Sequence, residues 1–340
     1  MASIKEIAKI CGVSVATVSK ALNDKEDISE ETKQHIKEVA KQMGYVPQYY
    51  ARAIRLNRSF NLGVLCVDEA QSGLTHDYFA HILNSFKVTA EARGYDITFI
   101  NCDKHNKKKK TYLEHCRYRG LDGVVIACIN FENKEVLELV NSDVPVVSID
   151  HSYSNCSSVV SNNIEGMRNL VEYIISMGHT KIAYISGDSS AVTRQRIDSF
   201  YEVMEKHGLP IRQEYQISSK YRNMALARKY TKKLMELPDP PTCILYPDDF
   251  SALGGIEQLH DMERIIGEDI SVAGYDDLMI AGQLKPRLTT VHQDTEQIGK
   301  RAAESLIHLI EDGVHAKVEK LMVESRLEKG QSIQWLPHES

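Results

Sequence analysis

The spacing of apolar positions along the chain changes near residue 60. Before that point apolar residues recur every three or four positions, as at Ile4, Ile7 and Cys11, and this spacing predicts helices. From residue 61 onward, short apolar runs such as residues 62–67 alternate with longer helical patterns. Such alternation is typical of a parallel sheet with helices on both faces. The sequence therefore predicts an all-α head followed by an α/β body.

The head is predicted to contain three helices with recognisable end signals. Ser3 opens a capping box, and Gly12 suits the left-handed conformation that ends a helix. Ser14 can cap a second helix over residues 15–22, and Ser29 can cap a third. A helix, a short turn and a second helix form the helix-turn-helix arrangement, which places its second helix in a DNA major groove.

The second helix is predicted to expose small and polar side chains that fit a groove about 12 Å wide. Val15 and Ala16 would present apolar surface to base edges, and Lys20 would reach a base or a phosphate. The alternative is a plain helical bundle whose hydroxyl groups are solvated. The candidate DNA contacts of the head are Ser3, Ile4, Ser14, Val15, Ala16, Thr17, Ser19, Lys20, Asn23 and Tyr45.

Charge is distributed unevenly along the chain, whose net charge is −6. Residues 1–60 carry a net charge of +3, and the remaining residues carry −9. A small basic head on an acidic body is typical of a nucleic-acid-binding module joined to a second function.

The head resembles the DNA-binding headpiece of the LacI/GalR family of transcriptional regulators. The resemblance lies in the sequences SIKEIA, GVSVATVS, LN, GYVP and ARAI, which begin at residues 3, 12, 22, 44 and 51. Because one headpiece reads only a half-site, we expect a homodimer on a palindromic operator of double-stranded DNA. Relatives with Val-Ala at residues 15–16 favour a central CG step, and the resemblance implies one here.

Residues 48–56 are predicted to form a helix too short to be stable alone, which would order on DNA. The residues alone favour a passive linker. The resemblance implies instead that paired hinge helices enter the minor groove at the operator centre, with an apolar side chain wedged into the central step. Ile54 stands there, where the family usually has leucine, and Ala51 and Arg55 are further candidate contacts.

The body repeats its own pattern, which predicts two similar lobes. Ser85-Phe86 lies nine residues before Gly94, and Ser199-Phe200 lies nine residues before Gly208. Ligands of open α/β sheets bind beyond the carboxyl ends of the strands, and pockets favour domain interfaces. Residues 61–340 resemble the effector-binding core of the same family, itself similar to periplasmic sugar-binding proteins, and carry motifs such as Gly274-Tyr275-Asp276-Asp277.

The predicted domains follow from this organisation. They are a helix-turn-helix head over residues 1–46 with its motif at about 4–23, a hinge over 47–60, an N-terminal lobe over 61–160 plus 291–323, and a C-terminal lobe over 161–290 plus 324–340. The two-lobed core is expected to consist of doubly wound parallel sheets.

Polar residues at predicted strand ends are candidates for the effector site. Asp150, Asp248 and Asp276 are predicted to end strands, and Arg196 to start a helix. Carboxylates and a guanidinium offer directional partners for sugar hydroxyls. The resemblance implies that Arg196 and Asp276 contact the effector; the alternative is a helix cap or a salt bridge between lobes. The remaining candidates are His76, Tyr78, Phe79 and Tyr221.

We expect a sugar effector, with a nucleobase or other metabolite as the alternative. A protein corepressor of the catabolite-control type is a third hypothesis. The charge run at residues 107–110 is expected to be a solvated segment.

Composition excludes several other classes of protein. With 42% apolar and 26% charged residues, the chain has the composition of an ordinary globular protein. Seven scattered cysteines without a C-x-x-C pair suit a reducing cytoplasm, and no apolar run predicts a membrane span or a signal peptide. No catalytic motif or metal spacing stands out, so we expect a cytoplasmic repressor without catalytic residues, metal or cofactor, rather than an enzyme or a transport protein.

Overall fold

A computed structural model describes residues 3–22, 24–45, 58–67, 73–100 and 110–337 of the chain. The chain divides into two compact units, Met1–Phe60 and Asn61–Ser340. The predicted hinge residues 47–57 lie outside the described residues.

The first unit contains the helices α1 (Ile4–Cys11), α2 (Val15–Leu22) and α3 (Glu30–Gln42). The side chain of Ser3 accepts a hydrogen bond from the backbone of the third residue of α1, completing a capping box, and Gly12 ends α1 at φ +64°. Ile7, Val18 and Ile36, one from each helix, are fully buried and form the centre of a small apolar core. The three helices and their predicted caps are confirmed.

The second unit alternates strands and helices. Among the described residues its strands are β1 (Asn61–Cys66), β2 (Asp96–Phe99), β3 (Gly123–Ala127), β4 (Val146–Ile149), β5 (Ser157–Ser161), β6 (Ile182–Ser186), β7 (Gln216–Ser218), β8 (Cys243–Leu245), β9 (Ser271–Ala273), β10 (Thr290–Gln293), β11 (Lys320–Val323) and β12 (Ser325–Glu328). Its helices are α4 (Asp77–Ala92), α5 (Tyr112–Arg119), α6 (Lys134–Val140), α7 (Asn163–Ser176), α8 (Ala191–Lys206), α9 (Met224–Met235), α10 (Asp249–Asp261), α11 (Met279–Gln283) and α12 (Thr295–Asp312).

These strands form two parallel sheets, one in each lobe. In the described part of the chain the first sheet has the order β11-β5-β4-β3-β1-β2, and the second has the order β7-β6-β8-β9. Strand β3 is buried along its whole length, as a central strand covered by helices on both faces must be. A two-stranded antiparallel ribbon, β10 with β12, runs alongside. The α/β fold class predicted for the body is confirmed.

The chain passes between the two lobes at three places. It leaves the first sheet after β5 and enters the second lobe with α7, whose Leu170 and Ile174 pack against Tyr184 of β6. It returns between β10 and α12, where Gly299 lies so close to α4 that a Cβ atom would come within 2.2 Å of the Ile82 carbonyl oxygen. It crosses again between β11 and β12. The lobes are therefore joined by three short connections.

The segment after β12, residues 329–337, makes hydrogen bonds to the second lobe. The Ser332 hydroxyl donates to the Val272 carbonyl at 2.7 Å, and the Leu336 amide donates to the Met177 carbonyl at 2.8 Å. His179 is fully buried beneath this segment, with Nδ1 at 2.9 Å from Thr242 Oγ1. The sequence did not predict this segment, because it has neither helical nor strand periodicity.

None of the helices in the described ranges combines the length and the apolar character needed to cross a membrane.

We predict that His179 makes the stability of the fold depend on acid. Burial lowers the pKa of His179 to about 4, so the unfolded chain binds a proton between about pH 6.5 and 4 that the folded chain does not bind. The free energy of unfolding therefore falls as the pH falls through that window, by roughly 3 kcal/mol at most. Urea unfolding at several pH values should show a flatter dependence for His179→Gln.

The control is His308→Gln, which changes a half-exposed histidine of α12 and should keep the wild-type slope. A slope for His179→Gln equal to that of the wild type would contradict the assignment.

Candidate functional site

The exposed face of α2 is the candidate DNA-reading surface. Val15 is 42% exposed and Ala16 is also exposed, as contact with base edges requires. Lys20 lies four residues after Ala16 and therefore on the same face of the helix. Ser14 accepts a hydrogen bond from the Thr17 amide at 3.0 Å, so its hydroxyl caps α2 and fixes where this face begins.

The Lys20 ammonium is not isolated on this surface. It donates to the carboxylate of Asp27, in the connection between α2 and α3, and both side chains are about half exposed. This ion pair could not be predicted from the sequence, because the partners lie seven residues apart and no periodic pattern connects them. A DNA contact by Lys20 must therefore share or replace the carboxylate.

The other candidate contacts of the head have different surroundings. The Ser3 hydroxyl is engaged at the start of α1, and Ile4 and Tyr45 pack partly against the head core. Thr17 and Ser19 are half-buried on α2. The candidates outside the described residues are Asn23, Ala51, Ile54 and Arg55.

Two partly buried aspartates follow equivalent strands in the two lobes. Asp150 directly follows β4, and Asp276 lies three residues beyond the end of β9. Both adopt the left-handed region, at φ +62° and φ +104°, which is strained for a residue with a Cβ atom. Strain of this kind concentrates at ligand and active sites, because the surrounding structure has to impose it.

A hydrogen-bonded chain of side chains connects these carboxylates across the lobes. The Tyr78 hydroxyl of α4 donates to Asp150 Oδ2 at 3.0 Å and lies 3.4 Å from Gln293 Oε1. Gln293, at the end of the crossover strand β10, donates from Nε2 to Asp276 Oδ1 at 2.6 Å. Oδ1 of Asp150 is buried without a hydrogen-bond partner among the described residues, which leaves an acceptor for a ligand.

Arg196 supplies the positive charge of the cleft. Its guanidinium is buried, lies 3.5 Å from the centre of the Tyr275 ring, and donates from Nε to Asn163 Oδ1 at 2.9 Å and from Nη1 to the Pro247 carbonyl at 3.1 Å. The prediction that Arg196 starts a helix is wrong, because α8 begins at Ala191 and Arg196 lies in its second turn. The side chain still reaches the cleft, where its charge acts on both Asp150 and Asp276.

Burial makes the carboxyl groups of the cleft weaker acids than exposed aspartates. It raises the pKa of Asp150 to about 6, although the Tyr78 hydrogen bond and the charge of Arg196 act in the opposite direction. Burial likewise raises the pKa of Asp276 to about 7, against the attraction of Arg196. The two carboxyl groups therefore titrate near neutral pH, and a ligand that donates hydrogen bonds would stabilise their charged forms.

Asp248 has the structural role that the sequence left open as the alternative, that of a helix cap. It does not end a strand, because β8 stops at Leu245; it caps α10 instead, accepting from the Ser251 amide at 2.6 Å. Its other oxygen accepts from the Arg222 amide at 2.8 Å. Both oxygens are thus engaged, which favours the cap over direct ligand contact.

The aromatic candidates line two walls of the cleft. Phe79 packs edge-on against Tyr78 at 5.0 Å and against His76 at 4.9 Å, all at the start of α4. Tyr221 lies across Gly187 in the other lobe, where a Cβ atom would approach its ring to 2.3 Å, and its hydroxyl lies 2.8 Å from Thr193 Oγ1.

Two residues of this site were not predicted from the sequence. Gln293 and Asn163 both lie next to crossovers, the first at the end of β10 and the second at the start of α7. Both could have been found from the sequence as polar residues that flank the predicted crossovers between the lobes. Each is almost fully buried, and each orients a charged group of the cleft.

Two protein-family models match the chain. Residues 3–48 match the family described as bacterial regulatory proteins, lacI family, and residues 171–333 match the periplasmic binding protein-like domain. The HTH-type transcriptional repressor PurR of Vibrio vulnificus is 29% identical over 322 residues, which cover 93% of this chain and 94% of that protein.

Solved structures share the fold. The lac repressor dimer bound to operator and the anti-inducer ONPF superposes with a TM-score of 0.83 at 20% identity, covering 98% of this chain and 99% of that chain. A complex of the transcriptional regulator CelR with cellobiose superposes with a TM-score of 0.70 at 22% identity, covering 98% and 100%.

A helix-turn-helix head followed by a periplasmic-binding-protein-like core defines a DNA-binding transcriptional repressor. The chain joins a head that matches the lacI family of bacterial regulatory proteins to a core that matches the periplasmic binding protein-like domain. The predicted family, fold class and DNA-binding regulatory function are confirmed.

We predict that the cleft reduces the stability of the ligand-free protein at alkaline pH. Because the pKa of Asp276 is raised, the folded state holds a proton between about pH 4 and 7 that the unfolded state releases, and the free energy of unfolding falls as the pH rises through that window. Asp276→Asn removes the charge and should raise the free energy of unfolding at pH 8 by roughly 2–4 kcal/mol at most, seen as a higher Tm, with a smaller effect at pH 5.

The neighbouring Asp277→Asn is the matched control, since Asp277 is partly exposed and contacts His292, and it should give no gain at pH 8. An Asp276→Asn protein that melts below the wild type at pH 8 would contradict the prediction.

Proposed function

We propose that this repressor works as a cytoplasmic homodimer whose affinity for a palindromic operator is set by a sugar bound between the two lobes. The observation that carries the proposal is the cluster of the buried Arg196 and Tyr78 with the partly buried Asp150 and Asp276, which is assembled from both lobes. The domains proposed are the head, hinge and two lobes defined from the sequence.

A polyhydroxylated ligand suits the chemistry of the cleft. Two carboxylates offer acceptors for neighbouring hydroxyl groups, and the guanidinium offers donors. The rings of Tyr78 and Tyr221 can cover an apolar sugar face. A sugar effector is also supported by the CelR–cellobiose complex, in which a regulator of this fold is bound to a sugar.

A nucleobase is the second candidate. The stacking of Arg196 on Tyr275 shows that the cleft accommodates one planar group over an aromatic ring, and a carboxylate can pair with ring N–H donors. The number of carboxyl groups favours the sugar, because a base has fewer donors to satisfy them.

Binding at this position can be coupled to DNA through the connections between the lobes. Gln293 belongs to β10, whose crossover leads directly into α12, and α12 packs on α4, the helix that carries Tyr78. A ligand that changes the angle between the lobes would reposition the start of β1, where the hinge enters. Coupling between two sites is typically about 1–3 kcal/mol.

At the DNA, we propose that α2 of each subunit reads a half-site and that Ile54 of the hinge wedges into a central CG step. The lac repressor dimer bound to operator supports dimeric binding by proteins of this fold. The relatives are repressors rather than enzymes, which supports a regulator without catalytic residues. Within the described ranges, no group of three or more His, Cys, Asp or Glu could hold a metal ion.

The effector prediction can be tested by calorimetry with sugars, purine bases and nucleosides. A sugar should bind the wild type, and Arg196→Met, which keeps the volume but removes the charge, should weaken binding by about 100-fold, since charged hydrogen bonds are lost in a buried site. Arg194→Ala on the exposed face of the same helix is the control and should bind normally. Heat released only by nucleobases would refute the sugar assignment.

The DNA prediction needs a duplex selected by the wild-type protein from a random-sequence library. In gel shifts at one fixed salt concentration, Lys20→Ala should weaken binding to this duplex by about tenfold. Ile54→Ala should reduce the bend, measured by circular permutation. Lys41→Ala, an exposed change of equal charge at the end of α3, should have a smaller effect. Unchanged affinity and bend in both test variants would exclude these contacts.

A further inference from the structure

The connection between α2 and α3 carries two carboxylates, each paired with a lysine. Asp27 accepts a hydrogen bond from Lys20 of α2, and Asp24 accepts one from Lys37 of α3. Lysine hydrogen bonds hold the pKa of both aspartates below its ordinary value, so both are charged at neutral pH. All four side chains are substantially exposed.

The two pairs differ in position relative to the candidate DNA-reading face. Lys20 shares the face of Ala16, one helical turn away, whereas Lys37 lies on α3, whose neighbouring Ile36 points into the head core. Asp27 is thus the carboxylate that would compete with DNA for a groove-facing lysine. Asp24 carries the same charge in the same connection without that competition.

A carboxylate in this position affects two kinds of DNA differently. Non-specific binding depends almost wholly on attraction between cations and phosphates. A lysine whose charge is already matched adds little to that attraction, and the carboxylate itself repels phosphate. At the operator, Lys20 has to donate in one direction, and an ion pair that restricts a flexible side chain reduces the freedom lost on binding.

We propose that Asp27 is a specificity-determining residue of the DNA-binding head, which orients Lys20 for the operator and weakens binding to all other duplexes. The inference rests on the proposed contact between Lys20 and operator DNA. It assigns the acidic residue, rather than a further base contact, a part in sequence discrimination.

The experiment compares the selected duplex with a scrambled duplex of equal length, by fluorescence anisotropy at fixed salt. The proteins are the full-length wild type, Asp27→Asn, Asp24→Asn, Lys20→Ala and the double variant Lys20→Ala/Asp27→Asn. Asp27→Asn should tighten binding to the scrambled duplex by about three- to tenfold without a matching gain on the selected duplex, so the specificity ratio falls. It should also steepen the dependence of log K on log salt concentration by up to about one for each head, because one more cation is available to phosphate.

Asp24→Asn removes the same negative charge and should change the specificity ratio by less than about twofold. In the Lys20→Ala background, Asp27→Asn should leave the ratio nearly unchanged, because the residue acts through Lys20. Since both aspartates are exposed, the variants are expected to fold, and their melting curves check this.

The inference is overturned if Asp27→Asn leaves the ratio intact, if Asp24→Asn lowers it equally, or if the effect of Asp27→Asn persists without Lys20. A wild-type protein that selects no duplex overturns the proposed function instead, and the inference with it. Loss of selection in Lys20→Ala together with an unaffected Asp27→Asn would leave the proposed function standing and remove the role of Asp27 alone.

Discussion

A guanidinium removed from water is costly unless other groups replace its hydration. Arg196 meets this requirement with an aromatic ring, an amide oxygen and a backbone carbonyl, and with the charges of carboxylates in both lobes. Because Asp150 comes from one lobe and Asp276 from the other, the electrostatic balance of this single side chain depends on how the lobes are arranged. A change in the angle between them changes the environment of the charge, and a ligand that supplies the missing hydrogen bonds can select one arrangement.

The same dependence extends to the crossovers between the lobes. Gln293 contacts groups from both lobes, and it belongs to the strand that continues into α12. A rigid strand and a packed helix transmit displacement better than a flexible loop, because close-packed interiors shift between discrete arrangements rather than deforming continuously. Gln293 thereby connects the cleft to α12 through the crossover.

Much of this architecture could be predicted from the sequence. Capping residues such as Ser3 and Gly12 act within one helical turn, so their effect is local and can be predicted from the sequence. Buried strands such as β3 also stand out as apolar runs. The prediction that Asp150 follows a strand directly is confirmed for the same reason, whereas the prediction that Asp276 ends a strand is wrong, because β9 stops three residues earlier. Strand β5 and the ribbon of β10 and β12 were not predicted, since they contain polar residues whose pairing depends on tertiary structure.

The partners of charged groups were beyond sequence reasoning. Nothing local distinguishes Asp248 as a helix cap from a ligand contact, because an aspartate after a strand suits both uses. The pairing of Lys20 with Asp27 depends on how the connection folds back on α2, which no periodicity encodes. Long-range hydrogen bonds, such as that between Gln293 and Asp276, become visible only when the lobes are assembled.

The hydrogen bonds between residues 329–337 and the second lobe have a consequence for biosynthesis. Val272 exchanges backbone and side-chain hydrogen bonds with Ser332, and the first sheet likewise needs β11 to cover β5. Neither lobe can therefore finish assembling on the ribosome until translation has passed these late residues, although most of each sheet has already been made. The nascent protein would expose an open sheet edge for much of its synthesis, and because such an edge can pair with other strands, products of premature termination are expected to aggregate.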